Sequence, residues 1–131
     1  KNKFEKGESI PFKDLWVLDK LDGKKVIISN RSIGGVLNTL KHFNLEDKFD
    51  LVIGKTLDKI DMLKPHPGML IEAIEKMNLD KNEILFIGDS LIDIKAGKKA
   101  GVKTVLIKRY NEQELHKEAD MIINSLEELL K

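Results

Sequence analysis

Apolar residues along the chain follow two alternating patterns. Compact runs rich in Val and Ile, typical of buried strands, occupy residues 26–28, 49–53, 84–87, 105–107 and 121–123. Between them, apolar residues recur every three or four positions, which predicts helices with one buried face over 33–43, 67–77 and 91–100. Residues 12–21 and 126–130 predict two further short helices, whereas residues 54–64 show no period and predict a charged loop.

This alternation of strands and helices predicts an α/β fold, with a parallel sheet that is flanked by helices in the Rossmann-like manner. In such sheets, ligands bind where the strands end at their carboxyl termini. The residues that leave the predicted strands are therefore the candidates for chemistry. They are Ser29 and Asn30, Gly54, the Gly-Asp-Ser sequence at 88–90, and Lys108.

Composition and charge exclude several classes of function for this chain. A chain of 131 residues fits one domain, and its net charge of +1 is not that of a dedicated binder of nucleic acids or membrane surfaces. No apolar run approaches the roughly 20 residues that span a bilayer. The absence of cysteine excludes disulfides, thiolate zinc sites and thiol nucleophiles. We therefore expect a soluble, cytoplasmic protein with no nucleic-acid or membrane partner, in which any metal is held by oxygen or histidine ligands.

Two acidic residues near the third strand form the strongest local signal. Asp89 follows the strand directly, and Asp93 lies four residues later, one helical turn away. Two carboxylates on one side of a crevice suit Mg²⁺, which prefers oxygen ligands and keeps several waters. The structural alternative is that Asp89 caps the next helix and Asp93 complements the helix dipole. The apolar strand before the pair favours the metal site.

Two further residues have the chemistry of phosphate contacts. Ser29 combines a hydroxyl with the free N–H groups of a helix start, although an ordinary helix cap would look the same. Lys64 is followed by Pro65 just before a helix and can present a positive charge to a phosphate or a carboxylate. On its own, Lys64 would be one surface lysine among many.

Together, these three features resemble the haloacid dehalogenase (HAD) superfamily of phosphatases. The resemblance covers residues 24–130 and is nearest to the phosphoglycolate phosphatase and β-phosphoglucomutase branch. It rests mainly on the Lys-Pro-His-Pro sequence at 64–67 and on the strand and helix at 86–102, with its Gly-Asp-x-x-x-Asp motif. The resemblance implies that Ser29 and Asn30 bind the phosphoryl group, Lys64 stabilises the charge of nucleophile and phosphate, Asp89 binds Mg²⁺, and Asp93 supports the metal through its water shell. Ser29 and Lys64 would thus be the catalytic residues.

The sequence departs from the family at the nucleophile. The family uses an Asp-x-Asp motif at the tip of its first, central strand, and these 131 residues contain no such motif. Asp19 cannot replace it, because the segment that carries it lies too close in sequence to the Val26 strand for a parallel crossover. We expect residues 12–131 to form the C-terminal part of the core domain and 1–11 to be a linker or the remnant of a cap helix. An N-terminal segment or a partner chain would complete the sheet.

The leading interpretation is an Mg²⁺-dependent phosphatase that acts on a small phosphorylated metabolite, with the Asp nucleophile upstream or on another chain. By itself, the chain is expected to be inactive. A phosphomutase and a catalytically inactive regulatory or scaffold domain remain open. A signalling receiver domain is disfavoured, because its acidic pair should follow the first strand, where this chain has Ser29 and Asn30. A dinucleotide-binding domain is disfavoured because no Gly-x-Gly-x-x-Gly follows any strand.

Overall fold

The structure, a computed structural model, describes residues 13–108 and 118–130. The predicted linker at 1–11 lies outside these ranges. The strands and α-helices run in the order β1 (Val26–Ser32), α1 (Ile33–His42), β2 (Leu51–Lys55), α2 (Gly68–Met77), β3 (Leu85–Gly88), α3 (Leu91–Ala100), β4 (Lys103–Ile107) and β5 (Met121–Ile123). Short 3₁₀ helices occupy Lys13–Lys20, Glu46–Lys48, Leu57–Met62, Lys81–Glu83 and Leu126–Leu130. The predicted α/β architecture is confirmed.

The strands form two parallel groups. β1 pairs with β2, and β3, β4 and β5 pair in that order. Among the described residues, no strand ladder joins β1 to β3. In this part of the chain, the strand that carries Ser29 and the strand that precedes Asp89 therefore do not pair with each other.

The three-stranded group is covered by helices on both faces. Successive side chains of β4 point to opposite faces, and each face packs against a different helical layer. Val105 and Ile107 pack against Val17 and Leu126, which belong to the first and last 3₁₀ helices. Leu106 packs on the opposite face against Ile94 of α3. The strand is thus buried between helical layers, as a near-continuous apolar run predicts.

Helix α2 connects the two strand groups through its buried face. Its Met69 and Ala73 pack against Ile53 of β2, whereas its Leu70 and Ile74 share a core cluster with Phe86 of β3. Helix α1 packs against β1 and β2. The interval between β1 and β3 is therefore spanned by a helix, although the two strands do not pair.

Two local features differ from the sequence predictions. β1 continues to Ser32 instead of ending at Ser29, so that Ser29 and Asn30 lie within the strand. The expected loop over 54–64 contains the 3₁₀ helix Leu57–Met62, which contacts α2 through a 3.4 Å ion pair between Lys59 and Glu72. The prediction of a loop without regular structure is wrong there, because a short 3₁₀ turn needs no apolar period. Among the described residues, no helix has the length and apolar character needed to cross a membrane.

Candidate active site

Ser29 and Asn30 lie where the pairing of β1 with β2 becomes irregular. The register is regular from Val26 to Ile28 and resumes at Ser32, which pairs with Lys55. Three residues of β1 occupy this interval, whereas β2 has Gly54 alone. Bulges of this kind redirect side chains and are common beside active sites. Here the Ser29 Oγ accepts a hydrogen bond from the backbone N–H of Arg31 at 3.0 Å, which stabilises the bulged segment.

Gly54 makes room for this bulge. A Cβ at residue 54 would lie 2.8 Å from the Cα of Ile33 and 3.0 Å from the carbonyl oxygen of Arg31. Contacts that short with backbone atoms cannot be relieved by a side-chain movement. Sequence analysis placed Gly54 at a strand end without giving it a role, and its role is to let β2 approach the start of α1.

Asn30 fixes the backbone of Lys64, which lies far away in sequence. The Asn30 Oδ1 accepts from the Lys64 N–H at 2.8 Å, and the Asn30 Nδ2 donates to the Lys64 carbonyl at 3.0 Å. This two-point contact determines where the lysine leaves the chain. The described contacts of Asn30 are thus with protein, and its predicted phosphate contact stays a prediction.

The Lys64 ammonium lies between β1, β3 and α3. Its Nζ donates to the carbonyl oxygen of Ile28 at 3.0 Å and to Asp93 Oδ1 at 2.5 Å, and it is 5.8 Å from the ring centroid of Phe86. The Lys64 side chain is only 11% exposed. The ammonium therefore points into the crevice beside the Asp89 turn and not into bulk solvent.

Asp93 is buried at the first turn of α3. Its Oδ2 accepts from the backbone N–H of Asp89 at 3.2 Å and from the Ser90 hydroxyl at 3.1 Å. Gly88 allows this approach, because a Cβ there would lie 2.2 Å from the Asp93 Cβ. The Gly-Asp-x-x-x-Asp motif thus folds back on itself, with its second acid held against its glycine.

Asp89 lies in the turn between β3 and α3 and is partly exposed. Its carboxylate and the Asp93 carboxylate are hard oxygen donors of the kind that Mg²⁺ prefers, and the partial exposure of Asp89 leaves access for water. Among residues 13–108 and 118–130, no three acidic, His or Cys side chains gather into a metal cluster. The residues present therefore fit a Mg²⁺ site in which waters or other groups supply most ligands.

The structure brings together most of the predicted site residues. Lys64 and Asp93 form an ion pair, Asp89 lies beside Asp93, and Asn30 holds the Lys64 backbone. The contact of the Ser29 hydroxyl with Arg31 is local, and its phosphate-binding role stays a prediction. Sequence analysis gave no role to the Ser90 hydroxyl or to the Phe86 ring beside Lys64, and only the serine, within the Gly-Asp-Ser turn, could have been suspected. His66 Nδ1 accepts from the Gly68 N–H at 2.9 Å, at the start of α2.

Comparison with known proteins identifies the family of this chain. The family model described as haloacid dehalogenase-like hydrolase matches residues 6–107. Pyrophosphatase PpaX of Bacillus mycoides is 32% identical over 115 residues, which cover 85% of this chain and 53% of the relative. D-glycero-beta-D-manno-heptose-1,7-bisphosphate 7-phosphatase of Haemophilus ducreyi is 38% identical over 80 residues, which cover 59% of this chain and 44% of the relative.

A solved structure supports the same relationship. The HAD phosphatase from Thermococcus onnurineus superposes with a TM-score of 0.80 at 30% identity, and the match covers 90% of this chain and 55% of that structure. The chain thus spans about half the length of the relatives it matches. On the extent of the family match, the fold and the arrangement around Lys64 and Asp93, this chain belongs to the haloacid dehalogenase-like hydrolases.

Proposed function

We propose that this chain provides the phosphate-binding and metal-binding side of a Mg²⁺-dependent phosphatase that acts on a small phosphorylated metabolite. The observation that carries the proposal is the placement of the Lys64 ammonium. It is largely buried, contacts Ile28 of β1 and Asp93 of α3, and is next to the Asp89 turn. A buried, positioned cation beside an acidic turn suits a site in which a phosphoryl group and a metal bind side by side.

Lys64 and the β1 bulge would bind the phosphoryl group. An ammonium has three N–H donors, and hydrogen bonds to described residues use two of them, at Ile28 and Asp93. The third can donate to a phosphate oxygen. Ser29 and Asn30 lie in the bulge next to Ile28, where the Ser29 hydroxyl can contact the same group. The lysine would then stabilise the negative charge that is shared between nucleophile and phosphate.

Asp89 would hold Mg²⁺ together with water. When bound, such an ion polarises phosphoryl oxygens and offsets their negative charge. The contribution of this chain is to place a carboxylate in the turn after β3, with the Asp89 backbone N–H donating to Asp93 Oδ2 at 3.2 Å. The position of the carboxylate relative to Lys64 is thereby set by one short, hydrogen-bonded segment.

The aspartate nucleophile would come from an additional strand between β1 and β3. These two strands do not pair with each other in the described part of the chain, and α2 spans the interval between them. A parallel strand inserted there would satisfy both edges and would end near Lys64. An N-terminal segment or a partner chain would provide it. The aspartate would attack phosphorus and release the leaving group, and water would then hydrolyse the acyl phosphate.

The relatives support the class of reaction more than a substrate. One is named a pyrophosphatase and the other a heptose bisphosphate phosphatase, and both names describe hydrolysis of phosphate groups on small molecules. A second candidate is a non-catalytic regulatory or scaffold domain, which the absence of an Asp-x-Asp motif from the 131 residues favours.

The test is phosphatase activity with a panel of small phosphate esters, measured with Mg²⁺ and again with excess EDTA. The assay uses the protein together with a segment or partner that supplies the Asp-x-Asp strand. Lys64→Met is expected to lower kcat/KM by about 100-fold, because a positioned charge at the phosphoryl group is lost. Lys81→Met, which removes an exposed lysine, is the matched control and should change little.

Two results would contradict the phosphatase. One is full activity in EDTA. The other is a Lys64→Met variant as active as Lys81→Met. Phosphate binding without hydrolysis, in the presence of the added strand, would favour the scaffold.

A further inference from the structure

Asp93 has contacts that do not suit the metal role which the family resemblance gives it. Both of its oxygens are already used by protein donors. Oδ1 accepts from the Lys64 ammonium, and Oδ2 accepts from the Asp89 N–H and the Ser90 hydroxyl. Resting on the proposed function, we infer that Asp93 is a positioning residue that sets the Lys64 ammonium for phosphate, and that Asp89 is the acid of this chain that binds Mg²⁺.

Burial makes this pairing necessary. The Lys64 and Asp93 side chains are 11% and 9% exposed. A charge at such a site needs a hydrogen-bonded partner, because an unpaired buried charge is strongly unfavourable. Each residue is therefore the hydrogen-bonded, oppositely charged partner of the other in the crevice, and the contact with Asp93 holds the Lys64 ammonium in place.

Packing restricts Asp93 to this orientation. The side chain lies against Gly88, and a Cβ at residue 88 would lie 2.5 Å from the Asp93 carboxylate carbon and from Oδ2. The carboxylate cannot rotate past the Gly88 backbone without losing its contacts with Asp89 and Ser90. By contrast, Asp89 is partly exposed and lies closer to the end of the strand. The two acids of the motif thus have different environments and, we infer, different tasks.

The arrangement also links the two halves of the site. One carboxylate contacts the Lys64 ammonium through Oδ1 and the backbone of the Asp89 turn through Oδ2. A change in the contact with Lys64 should therefore alter the contact with the Asp89 turn, and the reverse. Asp93 would hold the phosphate-binding cation and the metal-binding turn at a fixed separation, which is what a reaction with both groups on one phosphoryl requires.

The experiment separates phosphate binding from metal binding by calorimetric titration of the protein with inorganic phosphate and with Mg²⁺. The variants are Asp93→Asn, Asp89→Asn, Lys64→Met and the double variant of residues 64 and 93. Asp93→Asn is expected to weaken phosphate binding by about tenfold or more and Mg²⁺ binding by less than about threefold. Asp89→Asn should show the reverse. The double variant should bind phosphate no more weakly than Lys64→Met alone, because Asp93 acts through Lys64.

Several outcomes would overturn the inference. The first is that Asp93→Asn lowers Mg²⁺ affinity as much as Asp89→Asn does. That result would be compatible with the proposed phosphatase but would make Asp93 a residue that acts on the metal. The second is additive loss of phosphate affinity in the double variant. If the unmodified protein binds neither phosphate nor Mg²⁺, the proposed function itself is rejected, and the positioning role with it.

A readout that needs no ligand tests the ion pair itself. Urea unfolding of the unmodified protein, Asp93→Asn, Lys64→Met and their double variant gives the coupling between residues 64 and 93, which we expect to be about tenfold in the unfolding equilibrium constant. The pair of Lys76 and Glu72, at 3.1 Å, is more exposed, with side chains 58% and 21% exposed, and as the control it should show little coupling. No coupling between Lys64 and Asp93 would mean that the pair does not form, and the inference would fail.

Discussion

The strands β1 and β4 are both short and rich in Val and Ile, yet their surroundings differ. In β4, Val105 is 0% and Leu106 is 2% exposed, whereas Val26, Ile27 and Ile28 of β1 are all only partly buried. β4 has a paired strand on each side, and β1 is paired on one side only among the described residues. Similar sequences therefore reach different degrees of burial, because the number of neighbours differs.

Within residues 13–108 and 118–130, the two strand groups therefore differ in how completely their strands are paired. The group of β3, β4 and β5 has helices on both faces and a closed core around Val105 and Ile107. The group of β1 and β2 has α1 and α2 as cover, but its other edge faces the interval next to β3. The candidate site lies beside the edge of β1 that is unpaired in the described part of the chain, since Lys64 contacts Ile28 on one side and Asp93 on the other.

The largest expected effect compares one isoleucine from each group. Ile107→Ala removes a side chain that is 6% exposed and packed in the closed core, and should lower the free energy of unfolding by about 3 kcal/mol. Ile27→Ala removes the same atoms from a partly buried site and should cost about 1 kcal/mol, because less area is withdrawn from water there. Urea unfolding monitored by circular dichroism measures both. Equal losses would mean that the two strand groups are equally closed.

A second comparison uses two helical glycines. In α3, a Cβ at Gly97 would lie 2.5 Å from Thr104 Cγ2 and 3.0 Å from Phe86 Cδ2, so Gly97→Ala should destabilise by about 2 kcal/mol through overpacking. In α1, no atom outside the helix lies within 4 Å of such a Cβ at Gly34. Gly34→Ala should therefore raise the free energy of unfolding by about 0.5 kcal/mol or more, since alanine has a higher helix propensity than glycine. Thermal melts check the sign, and a stabilising Gly97→Ala would contradict the tight packing of α3 on β3 and β4.

The smallest expected effect is a pH dependence at the β4–β5 end. Hydrogen bonds from the Thr104 N–H, at 2.8 Å, and hydroxyl hold the pKa of the Asp120 carboxyl below its ordinary value of 3.8. A group whose pKa is lowered in the folded state contributes stability above its ordinary pKa, and this contribution is lost as the pH falls below about 3.8. Asp120→Asn keeps an acceptor for Thr104 but removes the titration, so its stability should fall less between pH 5 and about pH 3. Acid titration of both proteins by circular dichroism tests this, with Asp22→Asn as an exposed control. Parallel acid curves would reject the role of Asp120.

The sequence by itself determined the elements and their order. Apolar residues follow one pattern in strands and another in helices, because strand side chains alternate and helical side chains repeat every three to four positions. These two patterns located every strand and α-helix to within a few residues. The third helix was predicted over 91–100 and ends at Ala100, where Gly101 follows with φ +83°. The lysine, the serine and the two acids were found from local sequence, because proline, strand ends and the spacing between acids are local signals.

Only the tertiary structure decided how these residues meet. No local pattern could show that Asn30 binds the backbone of Lys64, or that the Lys64 ammonium pairs with Asp93 and thereby occupies an oxygen that the sequence had assigned to a metal site. Residues 30 and 64 become neighbours because β1 bulges opposite Gly54, and residues 64 and 93 because α3 packs tightly against β3 at Gly88. The sequence selects side chains by type and spacing, whereas their partners depend on close contacts between elements that are far apart along the chain.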